Sequence, residues 1–145
     1  MKILILLLIS LLNCKGEESL PRLVIANWEY AKSESQSLEG KTFERLEKIQ
    51  DLTEISFGNK GFIFLKTKFD LPELKSDSKF SIYLDLINPT DETYLNGVWI
   101  GKTGKIPQKE GEFFSAWNEI RNYQVEPSIL KEKDNELLIC IIDYI

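Results

Sequence analysis

At 145 residues the chain is long enough for one domain with a real core and too short for two. Its 23 acidic residues outnumber 18 lysines and arginines, a net charge of −5 with no basic stripe to neutralise phosphates, which excludes nucleic acid as a partner. Histidine is absent, which removes Ser-His-Asp and Cys-His catalysis and every imidazole metal site in one step.

Lys2 precedes a largely apolar run over residues 3–12, the length of a signal-peptide core. As a helix it is too short to span the roughly 30 Å hydrocarbon layer. The run ends in Leu11-Leu12-Asn13-Cys14, which resembles a bacterial lipobox in the looser form found in spirochaetes, with Asn13 where Gly or Ala is usual. That resemblance implies cleavage before Cys14 and lipid attachment, detectable with palmitate, at the cysteine thiol. The plain alternative is a secreted protein with a leftover cysteine. The lipobox reading divides the chain into a signal peptide at 1–13, a lipidated tether at 14–21 and a folded domain at 22–145. It places the protein in the bacterial cell envelope, held extracytoplasmically on a membrane by its N-terminal lipid.

In the folded part, residues 22–28 read as a first strand and residues 33–40, SESQSLEG, as a polar loop. Phe43, Leu46, Ile49 and Leu52 recur at every third position, which predicts a short amphipathic helix over 42–52. From residue 61 the pattern turns to strands. Residues 61–72 enter a core through Phe62, Phe64 and Phe69 and stop at Pro72, which has no N–H for a ladder. Residues 79–87 alternate Phe80, Ile82, Leu84 and Leu86 with Ser81, Tyr83 and Asp85, a strand with one buried and one wet face.

After turn chemistry at residues 88–91 comes Thr93-Tyr94-Leu95-Asn96-Gly97. Here Gly97-Val-Trp-Ile-Gly-Lys-Thr103 is one residue short of a phosphate-binding P-loop. A P-loop has four residues between its glycine and Gly-Lys and opens a helix, whereas Gly104, Pro107 and Gly111 prevent a helix here. Asn96-Gly97 is instead a type I′ hairpin turn, and no nucleotide is expected. Arg121 to Val125 reads as a short strand, Pro127 opens a single helical turn, and residues 137–142 form the closing strand. Cys140, with no partner in the mature chain, reads as a small buried hydrophobe. Short strands with little helix predict an all-β sandwich with one or two short helices.

Three segments together resemble a known family. Residues 61–72, residues 91–101 with their Asn-Gly hairpin and Ile-Gly return, and Arg121-Asn-Tyr123 with Pro127, Leu130 and Asn135 look like the galactose-binding-like jelly-roll domain of family 2 glycoside hydrolases and sialate O-acetylesterases. The resemblance covers roughly residues 28–145 and implies a jelly roll that binds sugar. Leu65-Lys66 stands where relatives often have Tyr-Arg. In those enzymes catalysis belongs to a separate downstream domain, so an accessory module without enzymatic activity is implied.

The residues themselves give the same direction. Acidic residues such as Glu54, Asp85, Asp91 and Asp143 are abundant enough that a carboxylate pair has no weight. They read as solvated or edge charges. Asp77, Asn88, Thr90 and Asp91 lie in or near loops of a kind that suits calcium, but no EF-hand spacing is present, and neither metal nor cofactor is expected. Sugar C–H faces pack on indole rings, which makes Trp99, Trp117 and Tyr94 the candidate stacking residues, with Asn96, Asn118 and Arg121 as hydrogen-bonding partners. Trp28 is expected in the core. Arg121 has an alternative role, tying a loop to the sheet through a buried hydrogen-bonded pair. The expected function is therefore non-catalytic binding of carbohydrate or envelope glycan. A protein–protein or purely structural role in the envelope is the alternative.

Overall fold

The computed structural model describes residues 22–48, 55, 61–73, 78–84, 90–105, 116 and 119–143, with residues 5–10 and 143 as backbone. Its strands, in chain order, are β1 (Ile5–Ser10), β2 (Arg22–Val24), β3 (Glu29–Ser33), β4 (Glu44–Arg45) and β5 (Gly61–Phe69). They continue as β6 (Lys79–Leu84), β7 (Thr90–Leu95), β8 (Val98–Thr103), β9 (Arg121–Val125) and β10 (Asn135–Asp143), with a 3-10 turn at Pro127–Ile129. Among the described residues no helix is long and apolar enough to cross a membrane.

The period of two that marks residues 79–84 and 121–125 is what a strand between core and solvent requires. These segments become β6 and β9 of a four-stranded sheet ordered β2-β1-β6-β9. The other sheet is ordered β4-β3-β5-β10-β7-β8, and the registered pairs in both are antiparallel. Phe80, Ile82, Leu84, Tyr123 and Val125 of the first sheet share one core with Ile63, Leu65, Phe69, Leu95, Leu137, Ile139 and Ile141 of the second. Trp28 joins that core and donates Nε1–H to the Ile25 carbonyl. Each fully buried Leu or Ile there contributes about 1.5–3 kcal/mol. The chain is thus an all-β, sandwich-like fold.

Alternate residues of β5 and β10 face the other way. Phe62, Phe64, Cys140 and Ile142 form a second cluster, with Phe43 and Leu138 packed against it. This outer cluster explains why residues 42–48 are not helical. Phe43 packs on the outer cluster and Leu46 on the main core, and Leu46 N–H bonds the Trp28 carbonyl beside β4. An extended chain sends residues three apart to opposite faces, whereas a helix would hold both on one stripe. The remainder of the predicted helix, residues 49–52, lies outside the described residues.

A buried ion pair ties the two sheets together. Asp91, expected as a solvated charge, is 0% exposed, as is Arg121, and Arg121 Nε lies 2.8 Å from Asp91 Oδ1. Asp91 sits on β7 with the same parity as Thr93 and Leu95, so its carboxylate faces the core rather than solvent. Its Oδ2 accepts bonds from Tyr123 Oη at 2.7 Å and Thr93 Oγ1 at 3.1 Å. Arg121 Nη1 donates to the carbonyls of Ala116 and Glu119, while Nη2 meets no acceptor. Burial, and then the Asp91 charge, push the Tyr123 hydroxyl pKa upward. The Tyr123 ring lies directly on Gly101, where a Cβ would fall 2.6 Å from Cε1. The glycine of the Ile-Gly return is required by this close approach.

The hairpin is the expected one, with Asn96 at φ 51° and Gly97 at φ 80°. Asn96 Nδ2 donates to the Ile129 carbonyl and to Asn135 Oδ1, and its Oδ1 accepts from Glu136 N–H. Asn135, 0% exposed, also accepts from Lys131 N–H and donates to the carbonyls of Lys131 and Phe69.

The N-terminal apolar run enters the sheet. Its residues 5–10 form β1 between β2 and β6.

Candidate functional site

The two-residue turn fixes Leu95 opposite Val98 and Tyr94 opposite Trp99. A register shift between Thr93 and Tyr94 then pairs Thr93 with Gly101, so that Ile100 is the extra residue and packs toward the main core. Trp99 stays beside Tyr94 on the outer face and is 54% exposed. β8 is the edge of its sheet, and its first residue, Val98, is also exposed.

The pairings extend this position into a row across the whole sheet. Trp99 is opposite Tyr94, Tyr94 opposite Leu138, Leu138 opposite Lys66, and Lys66 opposite Glu29. One step along, Glu92 is opposite Cys140 and Lys102. The Glu92 Oε2 atom accepts a bond from Gln36 Nε2 at 2.6 Å and from Tyr94 Oη at 3.0 Å. Lys66 Nζ lies 3.4 Å from Glu29 Oε2 and 3.9 Å from the centroid of the Phe43 ring, an ion pair joined to a cation–π contact. The arrangement is an aromatic shelf bordered by a carboxylate, an amide and an ammonium group. Trp99 is the exposed aromatic of this row, Glu92 and Gln36 lie beside Tyr94, and the Lys66 ammonium, one strand further on, is engaged by Glu29 and Phe43.

The candidate residues read from sequence separate in space. Trp99 and Tyr94 meet on the shelf. Asn96 and Arg121 do not join them: Asn96 uses both ends of its amide inside the fold, and Arg121 is closed off from solvent by its pairing with Asp91. The tying role is the one the geometry gives Arg121, because a ligand has no open path to a guanidinium with no exposed surface. Trp117, Asn118 and Cys14 lie outside the described residues, as do Glu54, Asp77, Asp85 and Asn88. Among the described residues no cluster of three or more His, Cys, Asp or Glu is placed to hold a metal. The sequence reading does not name Glu92 or Gln36, and Lys66 enters it only as a departure from the Tyr-Arg of the family it resembles. Glu92 was accessible, since it shares the parity of Tyr94, while the Gln36 contact spans 56 positions and leaves no local signal.

Burial pushes the Cys140 thiol from its ordinary 9.0 up to about 12, with the charges of Glu92 and Asp91 adding to it. Burial and the bond to Glu92 raise Tyr94 from 10.0 to about 12. The unfolded chain gives up these protons first, so the stability that Cys140 and Tyr94 contribute is full below about pH 9 and is lost as pH rises toward 12. Denaturant midpoints measured across that range are expected to follow this course. Cys140 should also react with a thiol reagent at pH 8 only once the chain is unfolded. Equal labelling of native and unfolded protein would contradict the burial.

Neither a protein-family model, nor a curated protein, nor a solved structure matches this chain.

Proposed function

We propose that the chain is a non-catalytic, lipid-anchored extracytoplasmic module of the bacterial envelope that binds carbohydrate or envelope glycan on the Trp99–Tyr94 shelf. The half-exposed Trp99 beside Tyr94, bordered by Glu92 and Gln36, is the observation that supports this reading. A pyranose ring would lay its C–H face on the indole, and its hydroxyls would donate to the Glu92 oxygen that takes neither of the two internal bonds. In the same reading the fold is a galactose-binding-like jelly roll, and Cys14 bears the lipid. The three segments with that resemblance interlock, Gly101 beneath Tyr123, Asn96 on Asn135, and Asn135 on the Phe69 carbonyl, which supports the assignment.

A glycan array with the wild type beside Trp99→Ala tests the ligand. Loss of the indole is expected to weaken binding by about 2 kcal/mol, roughly thirty-fold in Kd. Asn122→Ala, on the solvent side of β9, should leave binding unchanged. The exposed Val98 next to Trp99 on a sheet edge favours a protein partner as the second reading. An array without signal, together with a partner cross-linked through β8, would replace the glycan by a protein.

A further inference from the structure

β1 pairs along the full length of β6, from Ile5 opposite Leu84 to Ser10 opposite Lys79. On its other side Leu6, Leu7 and Leu8 pair with Val24, Leu23 and Arg22 of β2. These same residues fall within the segment that the lipobox reading removes. A mature chain that begins at Cys14 therefore lacks the strand that lies second in this sheet.

We propose that processing turns the place of β1 into a strand-acceptor slot, filled in the mature protein by an extended, uncharged, apolar segment of about six residues donated by another polypeptide. The inference rests on the lipoprotein reading given above.

The physical argument begins with β6. Phe80, Ile82 and Leu84 face the core, and the strand is paired on its other edge with β9. Without β1, its near edge presents a row of N–H and C=O groups to water beside an apolar face, which is a template for pairing with another extended backbone. β2 has β1 as its sheet neighbour, so it is released as well. The opening is the near edge of β6, and β2 can pair again on the far side of whatever strand replaces β1. Exposed edges of this kind recruit extended peptides, with backbone bonds giving affinity and alternate side chains giving selectivity.

The chemistry of the occupant is read from the segment now seated there. The positions opposite Leu84, Ile82 and Phe80 are Ile5, Leu7 and Ile9, and those opposite Tyr83, Ser81 and Lys79 are Leu6, Leu8 and Ser10. None of the six is charged. Leu7 holds the register position opposite Ile82, a fully buried residue, so a charge at that position of the occupant is unfavourable. The donor is accordingly an envelope polypeptide with an apolar extended stretch.

The test uses the full chain, processed by a bacterial host, purified from membranes in detergent and weighed by mass spectrometry. Hydrogen exchange at residues 79–84 is then compared with that of unprocessed Cys14→Ala. The expected result is exchange roughly a hundred-fold faster in the processed chain. Protection should return on adding a synthetic peptide of residues 3–10 flanked by lysines, and not with the same peptide carrying Leu7→Asp. Protection of residues 79–84 in the processed chain alone would overturn the slot, as would a strand-exchanged dimer or equal protection by both peptides. A mass that retains residues 1–13 would instead sink the lipoprotein reading, and the vacancy with it.

Discussion

Arg121→Met is expected to destabilise the fold by about 3–5 kcal/mol, because it leaves the Asp91 carboxylate buried without its countercharge. That corresponds to a fall in Tm on the order of 10–20 °C for a domain of this size. The loss has three parts: the 2.8 Å pair itself, and the two bonds from Nη1 that hold the carbonyls of Ala116 and Glu119. Arg121→Lys should recover little, since a single ammonium cannot span a carboxylate and two carbonyls in a fixed fork. The informative variant is Asp91→Leu with Arg121→Met. Replacing both charges by apolar groups should restore much of the stability, because the cost of a half-broken pair is larger than the net worth of the intact one. Urea unfolding of the four proteins completes the cycle. If the double variant is as unstable as the sum of the singles, the pair is not the coupled unit described here.

Asn135→Leu is expected to cost about 3 kcal/mol although it preserves volume, since it strands four groups on three partner residues. Asn135 bonds the Lys131 N–H and C=O, the Phe69 carbonyl and the Asn96 side chain. It therefore locks the turn into β10, the end of β5 and the β7–β8 hairpin in one position. Faster hydrogen exchange should appear at Asn96 and Lys131, far from each other in sequence and both within reach of this one amide. Asn122→Leu, on the solvent side of β9, should stay within about 0.5 kcal/mol of wild type in the same urea titration. Equal effects of the two substitutions would remove Asn135 from this role.

The strands were legible where one face is wet, because a period of two survives in the sequence: Phe80 to Leu84, Arg121 to Val125 and the Asn96-Gly97 hairpin all stand as read. Residues 42–48 were not legible. Phe43 and Leu46 serve two separate clusters on opposite faces of one sheet, and that demand coincides with helical spacing. Asp91 was misread because a carboxylate is by default a surface group. The available signal was its parity with Leu95, matched by an arginine in phase with Tyr123 and Val125. Trp99 and Tyr94 were visible as aromatics, and counting back from the turn places them opposite each other. The groups that border them come from β5 and from the loop after β3, and no local pattern announces such distant neighbours.

One further consequence lies in β7 itself. Asp91, Thr93 and Leu95 anchor it from within, while Glu92 and Tyr94, interleaved with them, project to the opposite side. Changes at 92, 94, 99 and 102 therefore alter the outer surface, the place of the proposed binding, and leave the clamp behind it in place. If the proposed binding holds, ligand preference and folding are carried by alternate residues of one strand, and new preferences can be engineered on the outer face at little risk to the scaffold.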